Sequence, residues 1–138
     1  MSSSTLNPYL SFRDNAAQAM AFYQSVFGGE VTSSTFGDMA HDPAERDLIM
    51  HSQLISPSGF TLMGADTPKD MDCTPGSAYS VSLSGDDEAE LTGYWEKLSE
   101  DAAAIGAPLM KAPWGDTFGM CTDKFGVNWM VNIVGNAG

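Results

Sequence analysis

The chain has 138 residues, 43% apolar and 17% charged, with a formal net charge of −12 and only six Lys plus Arg. That length gives one domain with a self-sufficient core, and the charge argues against a nucleic-acid groove or an anionic membrane surface as partner. No apolar run approaches a bilayer span, and two cysteines are too few for a disulfide framework or a cysteine-built zinc site.

Leu6–Phe12 alternates apolar and polar residues and predicts a first strand. Asn15 and Gln18 offer an N-cap and partial capping box. Ala19, Met20, Phe22, Tyr23, Val26 and Phe27 then recur at helical spacing. Gly28-Gly29 supplies the stop. Three strands are predicted next, over Glu30–Phe36, Leu48–Ile55 and Phe60–Ala65, the last two joined by the turn Ser56-Pro57-Ser58-Gly59. The acidic loop GDMAHDPAERD separates the first two.

The order then repeats. YSVSLSG predicts a strand, Asp87 and Glu90 a capping box, and Leu91, Tyr94, Trp95 and Leu98 the apolar face of a helix reaching toward Ala102. Gly106-Ala107-Pro108 is expected to break the chain before strands at Leu109–Ala112, Thr117–Thr122 and Val127–Val134. Asp123–Gly126 punctuates the last hairpin. A shift of 73 residues overlays Asp14 on Asp87 and Phe22 on Trp95, and a shift of 67 overlays Gly59 on Gly126 and Met63 on Met130. The fold class expected is α+β: duplicated βαβββ units forming a curved mixed sheet around a cavity, with the helices on its outer face. Residues 1–138 make a single domain, with half-units at about 1–66 and 77–138.

Strand parity places Val81, Leu83, Val127, Trp129, Val131 and Ile133 under a helix. Ser80, Ser82, Ser84, Asn128, Met130 and Asn132 take the other face, which would line a concave, partly polar pocket. No glycine-rich dinucleotide fingerprint, phosphate loop or nucleophilic serine elbow occurs.

The segments NPYLSFRDNAAQAMAFYQSVFGGEV, IMHSQLISPSG and WGDTFGMCTDKFGVNWMVNI carry a resemblance. Together with the duplicated βαβββ order they make the chain resemble the vicinal oxygen chelate superfamily of glyoxalases and dioxygenases, and within it the PhnB-like branch. The resemblance implies a homodimer. It also implies a divalent metal held by residues from the first and last strand of each half. Those positions here fall near Asn7, Met63, Ser80 (or Tyr79) and Met130. Thioethers, an amide and a hydroxyl suit neither a hard nor a borderline divalent ion, so no metal and no other cofactor is expected. Relatives in this branch have been described as methyltransferases, and no nucleotide fingerprint supports that here.

His51, in LIMHSQLI, shares a parity with Ile49, Gln53 and Ile55. It reads either as a general base or hydrogen-bond donor in the pocket or as a histidine bonded to neighbouring strands, with Gln53 as its polar companion. Tyr9 places a phenol in the pocket or packs its strand. Met63 and Met130 line the pocket as adaptable apolar groups if the register is right, or else fill a packed gap. Trp114 and Phe118 are aromatic walls, or else hairpin core or a dimer contact. Trp129 reads as core. His41, with Asp38, Asp42, Glu45 and Asp47, reads as a solvated acidic loop, the alternative being an adventitious cation site. Cys121 reads as an inert packed thiol, and Asp72 would raise the pKa of Cys73. Thr67–Ser77 links the halves or closes as a lid.

The N-terminus, MSSSTLNPYL, lacks the basic start and apolar middle of a secretory signal, so a cytoplasmic protein with both thiols reduced is expected. A disulfide between the two is the alternative. The function expected is binding of a small, neutral or cationic, partly aromatic or apolar molecule, with no nucleic acid or membrane as partner. A metal-dependent lyase or dioxygenase using His51 and Asp66, and a dimeric structural module without ligand, are the alternatives.

Overall fold

The structure is a computed structural model that describes residues 6–40, 42–74, 76 and 78–135. The expected α+β duplication is present. The first half runs β1 (Tyr9–Phe12), α1 (Ala16–Phe27), β2 (Glu30–Thr35), β3 (Ile49–Ile55) and β4 (Thr61–Asp66). The second runs β5 (Val81–Gly85), α2 (Glu88–Ser99), β6 (Ala104–Lys111), β7 (Thr117–Thr122) and β8 (Asn128–Ile133). Hydrogen bonding forms two four-stranded mixed sheets, ordered β1-β4-β3-β2 and β5-β8-β7-β6. In each, the first strand pairs in parallel with the last, and the other pairs are antiparallel. The chain divides into two compact units, Met1–Thr74 and Pro75–Gly138.

In the first unit, Leu10, Phe12, Leu54 and Leu62 are buried on the side of α1, whose Ala16, Ala19, Met20, Tyr23, Val26 and Phe27 are buried as well. Each large apolar side chain removed from water contributes roughly 1.5–3 kcal/mol. Gly64 lets the helix lie close to β4: a Cβ there would stand 3.1 Å from the Met20 sulfur and 3.2 Å from the Phe12 ring. The second unit repeats this arrangement. Leu83, Cys121, Trp129, Val131 and Ile133 are buried with Leu91, Tyr94, Trp95 and Leu98 of α2. Here Gly119 makes the room, with the Trp95 ring and Leu109 Cα both 3.0 Å from where a Cβ would be.

The duplication extends to the β3–β4 and β7–β8 turns. Ser56 and Phe60 close one with Ser56 N–H to Phe60 O at 3.0 Å, and Asp123 N–H to Val127 O at 2.9 Å closes the other. Gly59 and Gly126 both sit at φ 89°, a left-handed position that suits glycine. Ser56 Oγ accepts from Phe60 N–H, and Asp123 Oδ1 accepts from Phe125 and Val127 N–H. Asp123 is fully buried, and its Oδ2 takes the Trp129 indole N–H at 2.9 Å.

Several expected boundaries shift. The first strand starts at Tyr9 rather than Leu6, because Pro8 has no N–H to donate and only its carbonyl joins the ladder, accepting from Met63 N–H. Asn15 occupies the N-cap of α1 without a side-chain cap bond; Asp66 of β4 supplies the acceptor instead. Asp87 caps α2 as expected, accepting from Glu90 N–H at 3.0 Å. That helix ends at Ser99, with Glu100 extended and Asp101 at φ 57°. Gly106-Ala107-Pro108 lies inside β6 rather than before it. The strand is at the sheet edge, where a missing N–H is tolerated, and its register shifts twice around these residues.

Candidate functional site

Each sheet has one face under its helix and one face away from it. On the first, register aligns Tyr9, Met63, Gln53 and Thr32 across all four strands. His51 lies one step along β3, opposite Ser34. The Tyr9 and His51 rings stack, with centroids 6.0 Å apart and planes inclined by 30°. His51, Gln53 and Met63 are half-buried, and Tyr9 is 53% exposed. A phenol, an imidazole, an amide and a thioether thus share one accessible patch. The ladder is irregular between Ser34 and Thr35, where Met50 is passed over. Ile49, expected to share the parity of His51, is buried.

Asn7 is half-buried just before β1, two residues short of Tyr9, the residue that faces Met63. The second unit shows the same offset. Met130 pairs with Ser82 and Met120, and Ser80 lies just outside β5. Alternation had given the correct face, but it does not fix the register of a parallel pair, which depends on a partner strand distant in sequence. Ser82 is therefore the hydroxyl beside Met130. Ser80 borders a separate recess of about 180 Å³, with Tyr79, Met120, Thr122 and Asn128 among its walls. Asn128 is engaged on both ends of its amide: Oδ1 accepts from Thr122 Oγ1 at 2.8 Å, and Nδ2 donates to the Gly76 and Tyr79 carbonyls.

Phe118 lies opposite Asn132 on the helix-free face of the second sheet. Trp114, 65% exposed, meets Phe118 edge-on at 6.1 Å. Beside them stands Asp116, which sequence reasoning did not select. Its carboxylate accepts from Gly135 N–H at 2.9 Å and Asn132 Nδ2 at 3.0 Å. Those two bonds, the Gly135 one foremost, hold its pKa below the usual carboxylate value. The clue in sequence is only an Asp flanked by Gly115 and Thr117 before a strand, a common turn pattern.

Asp66 answers a different need. It is buried on the helix side, with Oδ1 accepting from Ala16 N–H and Oδ2 from Ile49 N–H, both at 2.9 Å. Tyr9 and Met63 look the other way, and so does His51 stacked on Tyr9. The His51–Asp66 pairing entertained from sequence is therefore not assembled, because Asp66 is spent on backbone groups that nothing else caps.

The donors present do not fit a divalent ion. Among the described residues, the patch around Tyr9 offers one imidazole with a phenol, an amide and a thioether, with the Glu30 carboxylate at the outer strand of the same face, and the second face offers hydroxyls, amides, thioethers and the Asp116 carboxylate, which Gly135 and Asn132 already occupy. Among the described residues no three His, Cys, Asp or Glu side chains are grouped so as to hold a metal. His41 of the acidic loop lies outside the described residues.

Both cysteines are free thiols. Burial, with help from the Asp123 charge, pushes Cys121 up to about 11, consistent with inert packing. The segment after β4 is tied down. Arg13 donates to the carbonyls of Thr67, Pro68 and Met71, Lys69 N–H donates to Glu45 Oε2 at 2.9 Å, and Lys69 Nζ pairs with Asp42. That pairing lowers the Asp42 pKa and raises that of Lys69. These ties suit a fixed link better than a lid. Among the described residues no helix is long and apolar enough to cross a membrane.

Residues 5–131 match the Glyoxalase/Bleomycin resistance protein/Dioxygenase superfamily. The chain is 30% identical over 141 residues to Protein YjdN of Escherichia coli strain K12, covering 94% of this chain and 95% of that protein. Protein PA1353 from Pseudomonas aeruginosa superposes with a TM-score of 0.83 at 35% identity, covering 97% of this chain and 100% of that one. A PhnB protein from Bacillus cereus, described as a putative 3-demethylubiquinone-9 3-methyltransferase, gives a TM-score of 0.73 at 26% identity over 95% of this chain and 100% of that one. The chain therefore belongs to the Glyoxalase/Bleomycin resistance protein/Dioxygenase superfamily, and its likeness to the PhnB-like branch, expected from three sequence segments, holds in the fold.

Proposed function

We propose that this protein binds a small, partly aromatic molecule on the helix-free face of its first sheet, and that it does so without a divalent metal. The observation that carries this reading is the Tyr9–His51 ring stack at 6.0 Å, set beside Gln53 and Met63 on a half-exposed surface. A flat ligand would extend the stack, Met63 would adapt to its outline, and the Gln53 amide would fix its orientation by hydrogen bonds. His51 would donate to or accept from the ligand through its ring nitrogens. Met130, Ser82 and Phe118 offer a similar mixture on the second unit, and Asn7, Ser80 and Trp114 lie at the margins of these two patches. A sequestering role suits this chemistry, and the superfamily's own name includes bleomycin resistance proteins. The working state would be a cytoplasmic homodimer.

The test joins metal analysis to a ligand screen. Purified, chelator-washed protein is expected to hold far less than one equivalent of Fe, Ni, Zn or Mn, and to gain thermal stability with members of a flat, neutral or cationic ligand panel. Tyr9→Ala and His51→Ala should each weaken a hit by about threefold to tenfold, as expected when an aromatic contact or hydrogen bond is lost. Stoichiometric metal would overturn the metal-free reading in favour of a lyase or dioxygenase. Hits indifferent to both substitutions would move the ligand elsewhere.

A further inference from the structure

A second cleft lies wholly within the first unit, where the acidic loop between β2 and β3 meets the segment that follows β4. It has a volume of about 250 Å³, and its apolar walls are Phe36, Met39, Ala40, Pro68 and Met71. Among the described residues its charged lining residues are two acids, Glu45 and Asp70. Met39 and Met71 are 71% and 59% exposed. Nothing in the proposed function uses this place.

The walls are held by named bonds. Phe36 N–H donates to Leu48 O at 3.1 Å, Gly37 N–H to Arg46 O at 3.0 Å and Met39 N–H to Phe36 O at 3.0 Å, which fixes one side. The other side is fixed by Arg13, whose guanidinium donates to Pro68 O at 2.7 Å and Met71 O at 2.6 Å. Lys69 joins the two sides through its N–H to Glu45 and its ammonium to Asp42. The basic groups that build the cleft are thus engaged in holding it together, and none of them lines it.

We propose that this cleft is a binding site for a small organic cation: an ammonium group on a compact aromatic or branched apolar body. Among the described residues the lining carries two carboxylates and no basic side chain, which favours a positive charge. Phe36 offers a ring face to the ammonium or to the ligand ring. Met39 and Met71 offer thioethers that pack against an aromatic edge. The volume lies just below the usual small-molecule range, which restricts the body to about one ring.

The experiment uses the full chain labelled with 13C at its methionine methyls, with Met39 and Met71 assigned through Met39→Leu and Met71→Leu. Three probes of similar shape are titrated: 2-phenylethylammonium, 2-phenylethanol and 3-phenylpropionate. The expected result is saturable shifts of the Met39 and Met71 methyls with the ammonium, at least fivefold tighter than with the alcohol and absent with the carboxylate. Met63 and Met130, which report on the other surfaces, should not move in step. Glu45→Gln keeps an acceptor for Lys69 N–H, and combined with Asp70→Asn it should weaken the ammonium about tenfold. The proposal is overturned by failure to saturate in the millimolar range, by equal binding of the carboxylate, by indifference to the double substitution, or by the same shifts on raising protein concentration alone, which would put a second copy in the cleft.

Discussion

Two buried carboxylates show how single residues hold this fold. Asp66 stitches the start of α1 to the start of β3 by accepting from Ala16 and Ile49 N–H. Asp123 closes a hairpin and anchors Trp129. Asp66 lies on the helix side of its sheet, away from the patch around Tyr9 and His51. Bonds to a charged acceptor carry about 1.5–3 kcal/mol each, and a buried donor left without a partner carries a comparable penalty. Asp66→Ala is expected to lower stability by about 3–6 kcal/mol in urea unfolding, since it strands two backbone N–H groups. Asp66→Asn, which keeps one acceptor oxygen, should lose less. Any ligand held by the Tyr9 patch should retain its affinity in the Asn variant under conditions where that variant is folded. A loss of affinity without a loss of stability would give Asp66 a role in binding that its geometry does not provide.

At the level of elements, the two helices approach their sheets across glycines. Gly119 is the tighter case, because its neighbours include Leu109 backbone as well as the Trp95 ring. Gly119→Ala would force α2 or β6 outward, and overpacking of this kind typically costs about 1–3 kcal/mol. Denaturation followed by tryptophan emission checks it; a change below about 0.5 kcal/mol, the usual range for a neutral surface substitution, would mean that the ring yields freely. Why some elements were legible in the sequence follows from the same packing. β1, β3, β4, β7 and β8 each bury one face, so their alternation shows both the strand and its open side, and with it Tyr9, His51, Gln53, Met63 and Met130 as a set of candidates. β6 does not. It is an exposed edge strand whose residues need not alternate, and Gly106-Ala107-Pro108 reads locally as a break. The cap of α1 was illegible for another reason: Asp66 is 50 residues from Ala16. Parallel register is equally non-local, so the sequence does not show that Tyr9 stands opposite Met63 or Ser82 opposite Met130. The cleft beneath Met39 and Met71 is assembled by Arg13 and Lys69 from two loops, and no periodic pattern marks such an arrangement.

For the molecule as a whole, the net charge of −12 sets the largest long-range term. Of its six Lys plus Arg, Lys69 is paired with Asp42 and Arg13 bonds to backbone carbonyls, so neither is a loose counter-charge for the acidic surface. A chain of this kind destabilises its own compact state by self-repulsion. Raising ionic strength from about 10 mM to about 150 mM shortens the screening length from about 30 Å to about 8 Å. The melting temperature is therefore expected to rise by several degrees over that range in sodium chloride, with most of the gain at the low-salt end. The same measurement bears on the metal question. Screening depends on ionic strength, whereas a built site saturates at low concentration with the chosen ion. Manganese or nickel chloride matched to sodium chloride in ionic strength should give nearly the same melting curve. A separate stabilisation by either ion that saturates below about 0.1 mM would be mass-action binding rather than screening. It would count against the metal-free reading and point to carboxylates such as Glu30, which shares a face with His51 and Gln53, as recruited ligands.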